Sequence, residues 1–174
     1  LPMTDPRTGR TVALALSGGV ALGAYEAGVF AALDAAGVRP HRLAGVSIGS
    51  INAALIAGNP AEQRVARLRE FWDGVANDPL PVLSFWAGPP SRGPVREGYN
   101  VAGVIQTFLL GRPGLFRPRA VPSADGRPGL YDLGPLLPRL ERLVDFGRLN
   151  DGDVRLTLAA TDVETGERVV FEAG

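Results

Sequence analysis

The chain has 174 residues, with 18 basic and 18 acidic side chains and a formal net charge of zero. That length suits one domain whose core buries roughly 70% of the unfolded chain's surface, and the balanced charge removes the electrostatic basis for nucleic-acid binding. Lysine and cysteine are absent and His41 is the single histidine, which excludes a Ser-Lys pair, a Schiff base, a thiol nucleophile and a disulfide, and argues against a protein-built metal site.

The chain opens with LPMTDPRTGR, which lacks the apolar stretch of a signal peptide, and no later apolar run reaches the roughly 18 to 20 residues of a membrane span. A soluble, cytoplasmic chain is expected. Residues 11–17, TVALALS, form a short run rich in Val and Leu, the pattern of a strand buried on both faces. After GGVALG, the stretch AYEAGVFAALDAAG brings Tyr25, Val29, Leu33 and Ala36 to helical spacing, and Gly37 is a natural stop. RLAGVS is a second strand, which completes a strand, helix, strand unit of the length a right-handed parallel crossover needs. An α/β sheet follows from it.

Residues 48–58 read as an Ala-rich helix. The next helix is expected to start with Asn59 as N-cap, Pro60 at its first position and Glu62 completing a capping-box pattern, with Val65, Leu68, Trp72 and Val75 on one stripe and the arginines mostly on a solvated face. Prolines and glycines then crowd residues 77–129 around the apolar island NVAGVIQTFLL, and an irregular insertion is expected there. Its large side chains, Phe85, Trp86, Phe108, Leu109, Leu110 and Phe116, fit either ordinary packing beneath long loops or a lid over an acyl groove. YDLGPLLPRLERLVDFG reads as one more helix, with Leu140 and Leu143 inward and Gly147 at its end; DVRLTLAATDVETGERVVF reads as two strands joined by a turn on Glu164, Thr165 and Gly166.

Two glycine-flanked segments carry chemistry. Gly45-Val46-Ser47-Ile48-Gly49 fits G-x-S-x-G between a strand and a helix, where a sharp turn strains the serine backbone, lifts its hydroxyl to the sheet edge and admits only Gly-like neighbours two residues either side. The helix that follows turns free N–H groups and a positive dipole end toward the same point. Ser47 as a plain N-cap for that helix fits the pattern too. In LSGGVALG, Gly18 and Gly19 leave the first strand toward the same edge. A dinucleotide fingerprint fails, because Val20 stands at its third position and the second strand ends in Ser, and no Gly-Lys-Ser/Thr phosphate loop exists.

With LALSGGVALGAYEAGVFAAL, GVSIGSINAALIAG and AATDVETGERVVF in this order, the sequence resembles the patatin-like phospholipases from about Thr11 to its end. The resemblance implies a three-layer α/β/α sandwich with a mainly parallel central sheet, and a Ser-Asp dyad that hydrolyses lipid acyl esters through an acyl-enzyme. Ser47 is then the nucleophile, Gly45 and Gly49 flank it in the elbow, and Gly18, Gly19 and Val20 offer the oxyanion N–H groups. No cofactor or metal is implied. The partner is a lipid or other acyl ester, with transient contact at a membrane surface. An acyltransferase on the same scaffold, or a non-catalytic module of this shape, remains open.

Two positions depart from the family pattern: Val20 stands where a third glycine is usual and Leu22 where a basic residue is frequent. Val20 must therefore hold a backbone conformation that a β-branched residue tolerates. His41 precedes the second strand and is expected far from Ser47. Asp125 and Asp151 precede glycine but lack the second small residue of the family's D-G-G or D-G-A motif, and Asp162 is expected to make a turn. The resemblance thus puts the dyad aspartate beyond Gly174, the domain being incomplete at its C-terminus.

Overall fold

A computed structural model describes residues 11–76, 80–119 and 130–174. The chain divides into two compact units, Leu1–Trp72 with Leu140–Gly174, and Asp73–Arg139. The first holds a four-stranded sheet built from β1 (Ala13–Leu16), β2 (Arg42–Val46), β5 (Arg155–Thr161) and β6 (Arg168–Ala173), in the order β1-β2-β5-β6. β1, β2 and β5 are parallel, with Leu16 opposite Gly45 and Val46 opposite Ala159, and β6 returns antiparallel to β5. This mainly parallel sheet flanked by helices is the α/β architecture the resemblance implies.

The helix α1 (Leu22–Ala35) joins β1 to β2, and α2 (Ile48–Ala57) leaves β2 and packs across β1, β2 and β5. The side chains of β2 alternate as a half-covered strand requires, Leu43 and Gly45 buried and Arg42, Ala44 and Val46 exposed. Gly37 ends α1 at φ +78, and its N–H and that of Val38 reach back to the carbonyls of Asp34 and Leu33, a glycine-closed helix end. The buried face of α1 differs from the stripe read in the sequence: Tyr25 is 75% exposed, whereas Phe30 is 1% exposed and Gly23 is buried. The Tyr25 periodicity and the Gly23–Phe30 periodicity are equally helical, and the close approach of α2 selects the second.

After a single 3-10 turn at Ala61–Gln63, α3 (Arg64–Val75) buries Leu68 and Phe71. Asn59 does not cap it. Its buried side-chain amide instead donates to the carbonyls of Leu55 and Leu143, at 2.9 and 2.8 Å. Arg64 is buried rather than on the solvated face; its Nε–H donates to the Asn59 carbonyl, and burial, followed by Arg148 and Arg39, pushes its pKa down. The helix expected to end at Gly147 is two: α6 (Leu136–Leu143) and α7 (Phe146–Asp151), because Asp145 caps α7 by accepting the N–H of Arg148 and so places Gly147 inside the second helix.

The second unit contains α4 (Pro81–Ala87), α5 (Gly93–Leu110) and a two-stranded ladder of β3 (Arg117–Pro118) with β4 (Tyr131–Asp132). The stretch read as irregular therefore carries an 18-residue helix. Pro94 lies in its first turn, where a missing N–H is harmless, and Gly111 at φ +77 stops it. Phe85 and Trp86 are 80% and 81% exposed, so they are not packed beneath loops. Residues 77–79 and 120–129 of that stretch, Asp125 among them, lie outside the described residues.

Candidate active site

The bend between β2 and α2 has the strained geometry that its glycines foretell. Ser47 adopts φ 54 and ψ −125, and among the described residues it and Val20 are the two non-glycine positions at positive φ. Such conformations cost about 1–3 kcal/mol each and persist where surrounding structure holds them. A Cβ on Gly45 would lie 2.7 Å from the Ser50 Cα, and one on Gly49 would lie 2.7 Å from the Ser17 carbonyl oxygen and overlap the end of β1. Both positions have room for hydrogen alone. The Ser47 side chain makes no cap hydrogen bond to α2, so the plain N-cap alternative does not hold; the residue is exposed.

The loop after β1 lies against this serine. A Cβ on Gly18 would come 3.2 Å from the Ser47 Cβ and 3.8 Å from its Oγ. Gly19 follows at φ +143 and Val20 at φ 50, and the turn is closed by the N–H groups of Leu22 and Gly23 on the carbonyls of Gly19 and Val20, at 3.0 and 3.2 Å. Among the described residues the amides of Gly18, Gly19 and Val20 have no protein acceptor, and all three residues are exposed. The backbone of Val20 is thus one that β-branched residues rarely adopt. Val20, Leu22, Tyr25 and Val46 are exposed, which adds apolar surface to this part of the unit.

The candidate bases stand elsewhere. His41 is at the opposite edge of the sheet: its N–H and carbonyl pair with Val12 and Arg155, its Nδ1 accepts the Val12 N–H at 3.3 Å, and six residues of extended chain put it about 20 Å from Ser47. Asp151 ends α7, before β5 starts, at that same far edge. Asp162 follows β5 at the near edge, but its Oδ1 accepts the N–H groups of Glu164 and Thr165 at 2.8 and 3.1 Å. Those two bonds hold its carboxyl below the ordinary range, which suits a turn-maker and weakens a base.

A strand-to-helix bend carrying a strained serine, with a glycine loop beside its side chain, sits within residues 14–172, which match the family model described as "Patatin-like phospholipase". The chain belongs to the patatin-like phospholipase family. Its curated relatives include "Patatin-like phospholipase domain-containing protein 6" of Mus musculus, Pongo abelii and Homo sapiens, each 42% identical over 77 residues, a stretch that is 44% of this chain and 6% of the relative. The matched stretch is thus a small part of those proteins.

The patatin-like bend is backed by a polar cluster that the sequence pattern did not disclose. Asn52, one turn into α2 and 0% exposed, donates to the carbonyl of Gly23 at 2.8 Å and to Glu26 Oε2 at 3.3 Å, and accepts the indole N–H of Trp72 at 3.0 Å. Glu26 Oε1 in turn accepts the backbone N–H of Ser17 at 2.7 Å and its hydroxyl at 3.1 Å. The available signal was a lone asparagine in the otherwise apolar run INAALIAG, since an amide there must find partners when buried.

Proposed function

We propose that this chain carries the nucleophile and oxyanion loop of a serine lipid acyl hydrolase. The observation that carries the reading is Ser47 at positive φ with Gly18 packed closely beside its side chain. Ser47 Oγ attacks the ester carbonyl carbon while its proton passes to a base; the carbonyl oxygen gains negative charge and takes hydrogen bonds from the Gly18, Gly19 and Val20 amides. Collapse of that intermediate expels the alcohol and leaves an acyl-Ser47 ester, which water then cleaves to the free acid. The N-terminus of α2 adds its positive dipole end at the same point.

The base is an aspartate, as in a Ser-Asp dyad, and is neither Asp151, at the far edge, nor Asp162, whose Oδ1 is held by two N–H groups of its own turn. No cofactor enters this chemistry. The exposed Val20, Leu22, Tyr25 and Val46 favour an acyl chain over a charged group beside the serine, and a lipid surface as the place of encounter. The whole natural protein, treated with a fluorophosphonate, is expected to be labelled on Ser47, and Ser47→Ala to abolish both labelling and ester hydrolysis. Labelling that survives Ser47→Ala, or hydrolysis unchanged by it, overturns the reading.

A further inference from the structure

Resting on the reading of Ser47 as nucleophile, we infer that Glu26 and Asn52 form a positioning clamp that sets the oxyanion loop against the serine. The loop of Gly18 to Ala21 has two ends, and each is fixed by this pair. At the strand end, Glu26 Oε1 holds the Ser17 N–H, one residue before Gly18. At the helix end, Asn52 Nδ2 holds the Gly23 carbonyl in the first turn of α1. Asn52 rides on the helix that starts directly after Ser47, so the same rigid element carries both the nucleophile and the anchor of the loop that must meet it.

The cluster is fixed around Asn52. The Trp72 indole N–H fixes which end of the Asn52 amide donates, and a Cβ on Gly23 would lie 2.7 Å from Trp72 Cζ2 and 2.8 Å from Ile48 Cγ1, so α1 can move no closer. Both donors of the Asn52 amide and its acceptor are in use. Both oxygens of the Glu26 side chain accept, Oε1 from Ser17 and Oε2 from Asn52; a glutamine there must turn its NH2 toward one of them. None of the four side chains is in a position read as nucleophile or oxyanion donor. They act through the loop, and a displaced oxyanion donor slows the chemical step more than it weakens binding.

The test compares Glu26→Gln and Trp72→Phe with the unaltered whole protein, using fluorophosphonate inactivation at saturating and limiting concentrations and the kcat and KM of a short-chain ester. Glu26→Gln is expected to lower both the limiting inactivation rate and kcat about ten- to a hundred-fold, with KM and the half-saturating inhibitor concentration within about threefold. Trp72→Phe, which keeps an aromatic side chain but loses the N–H donor and part of the indole's bulk, is expected to show the same pattern more weakly, so a poorly folding Glu26→Gln leaves the proposal testable. Folded variants with the parent's limiting rate, or losses confined to KM, overturn the clamp while leaving Ser47 as nucleophile. An unaltered protein that is not labelled at Ser47 overturns the parent reading instead, and the clamp's catalytic role with it.

Discussion

Val20 holds a β-branched side chain at φ 50 while its neighbour Gly19 sits at φ +143. An αL-region valine crowds its Cβ against its own backbone, and the penalty of about 1–3 kcal/mol is tolerated because the Gly23 N–H on the Val20 carbonyl and the anchoring of α1 fix the turn. Glycine at this position would relieve the strain but lose entropy on folding, about 0.5–1 kcal/mol. Val20→Gly is therefore expected to stabilise the protein by roughly 1 kcal/mol, with the amide still offered to the site and labelling of Ser47 retained. Urea unfolding followed by circular dichroism checks it. A loss of stability instead means that the exposed isopropyl group makes contacts that outweigh the strain.

At the scale of elements, patterns local in sequence were legible and those decided by distant partners were not. The bend at Ser47 and the β5–β6 turn each depend on residues within a few positions, such as Asp162 accepting the N–H groups of Glu164 and Thr165, and the apolar runs of β1 and β2 mark strands without naming their partners. The buried face of α1, the end of α6 and the role of Asn59 depend on contacts far along the chain. Asn59 shows the difference: beside Pro60 it has the look of a helix start, yet its amide bridges the end of α2 to Leu143, 84 residues away. Gly58 reinforces that junction, its carbonyl accepting the Asp145 N–H at 3.0 Å. Removing the amide leaves two buried carbonyls short of a donor, and each such loss costs about 1–3 kcal/mol. Asn59→Ala is expected to destabilise the first unit by roughly 2–4 kcal/mol, seen as a lower urea midpoint with an unchanged slope; an unchanged midpoint would show that water replaces the amide there.

For the whole molecule, equal numbers of acidic and basic residues give no net charge at neutral pH, but the carboxylates are not evenly placed. In the first unit, hydrogen bonds from Arg142 and then Arg67 lower the pKa of Glu70 from its ordinary 4.5, and the turn amides of Glu164 and Thr165 lower Asp162 from 3.8. In the second, the Gly134 N–H and then Arg117 lower Asp132 from 3.8. Each group gives up its proton more readily when folded, so in acid the unfolded chain binds more protons and stability rises with pH. The contribution is complete above the ordinary values and is lost as pH falls through the lowered ones. Thermal unfolding is therefore expected to hold its midpoint from about pH 7 to about pH 5 and to fall steadily below about pH 4.5. Glu70 is an exposed partner, so its share is about 1 kcal/mol or less and shrinks in high salt. Glu70→Gln should accordingly lower the midpoint slightly at pH 7, and the difference from the parent should shrink as the pH falls through the lowered value. A midpoint that stayed level from pH 7 to pH 3 would mean that these carboxylates keep the same partners in the unfolded chain.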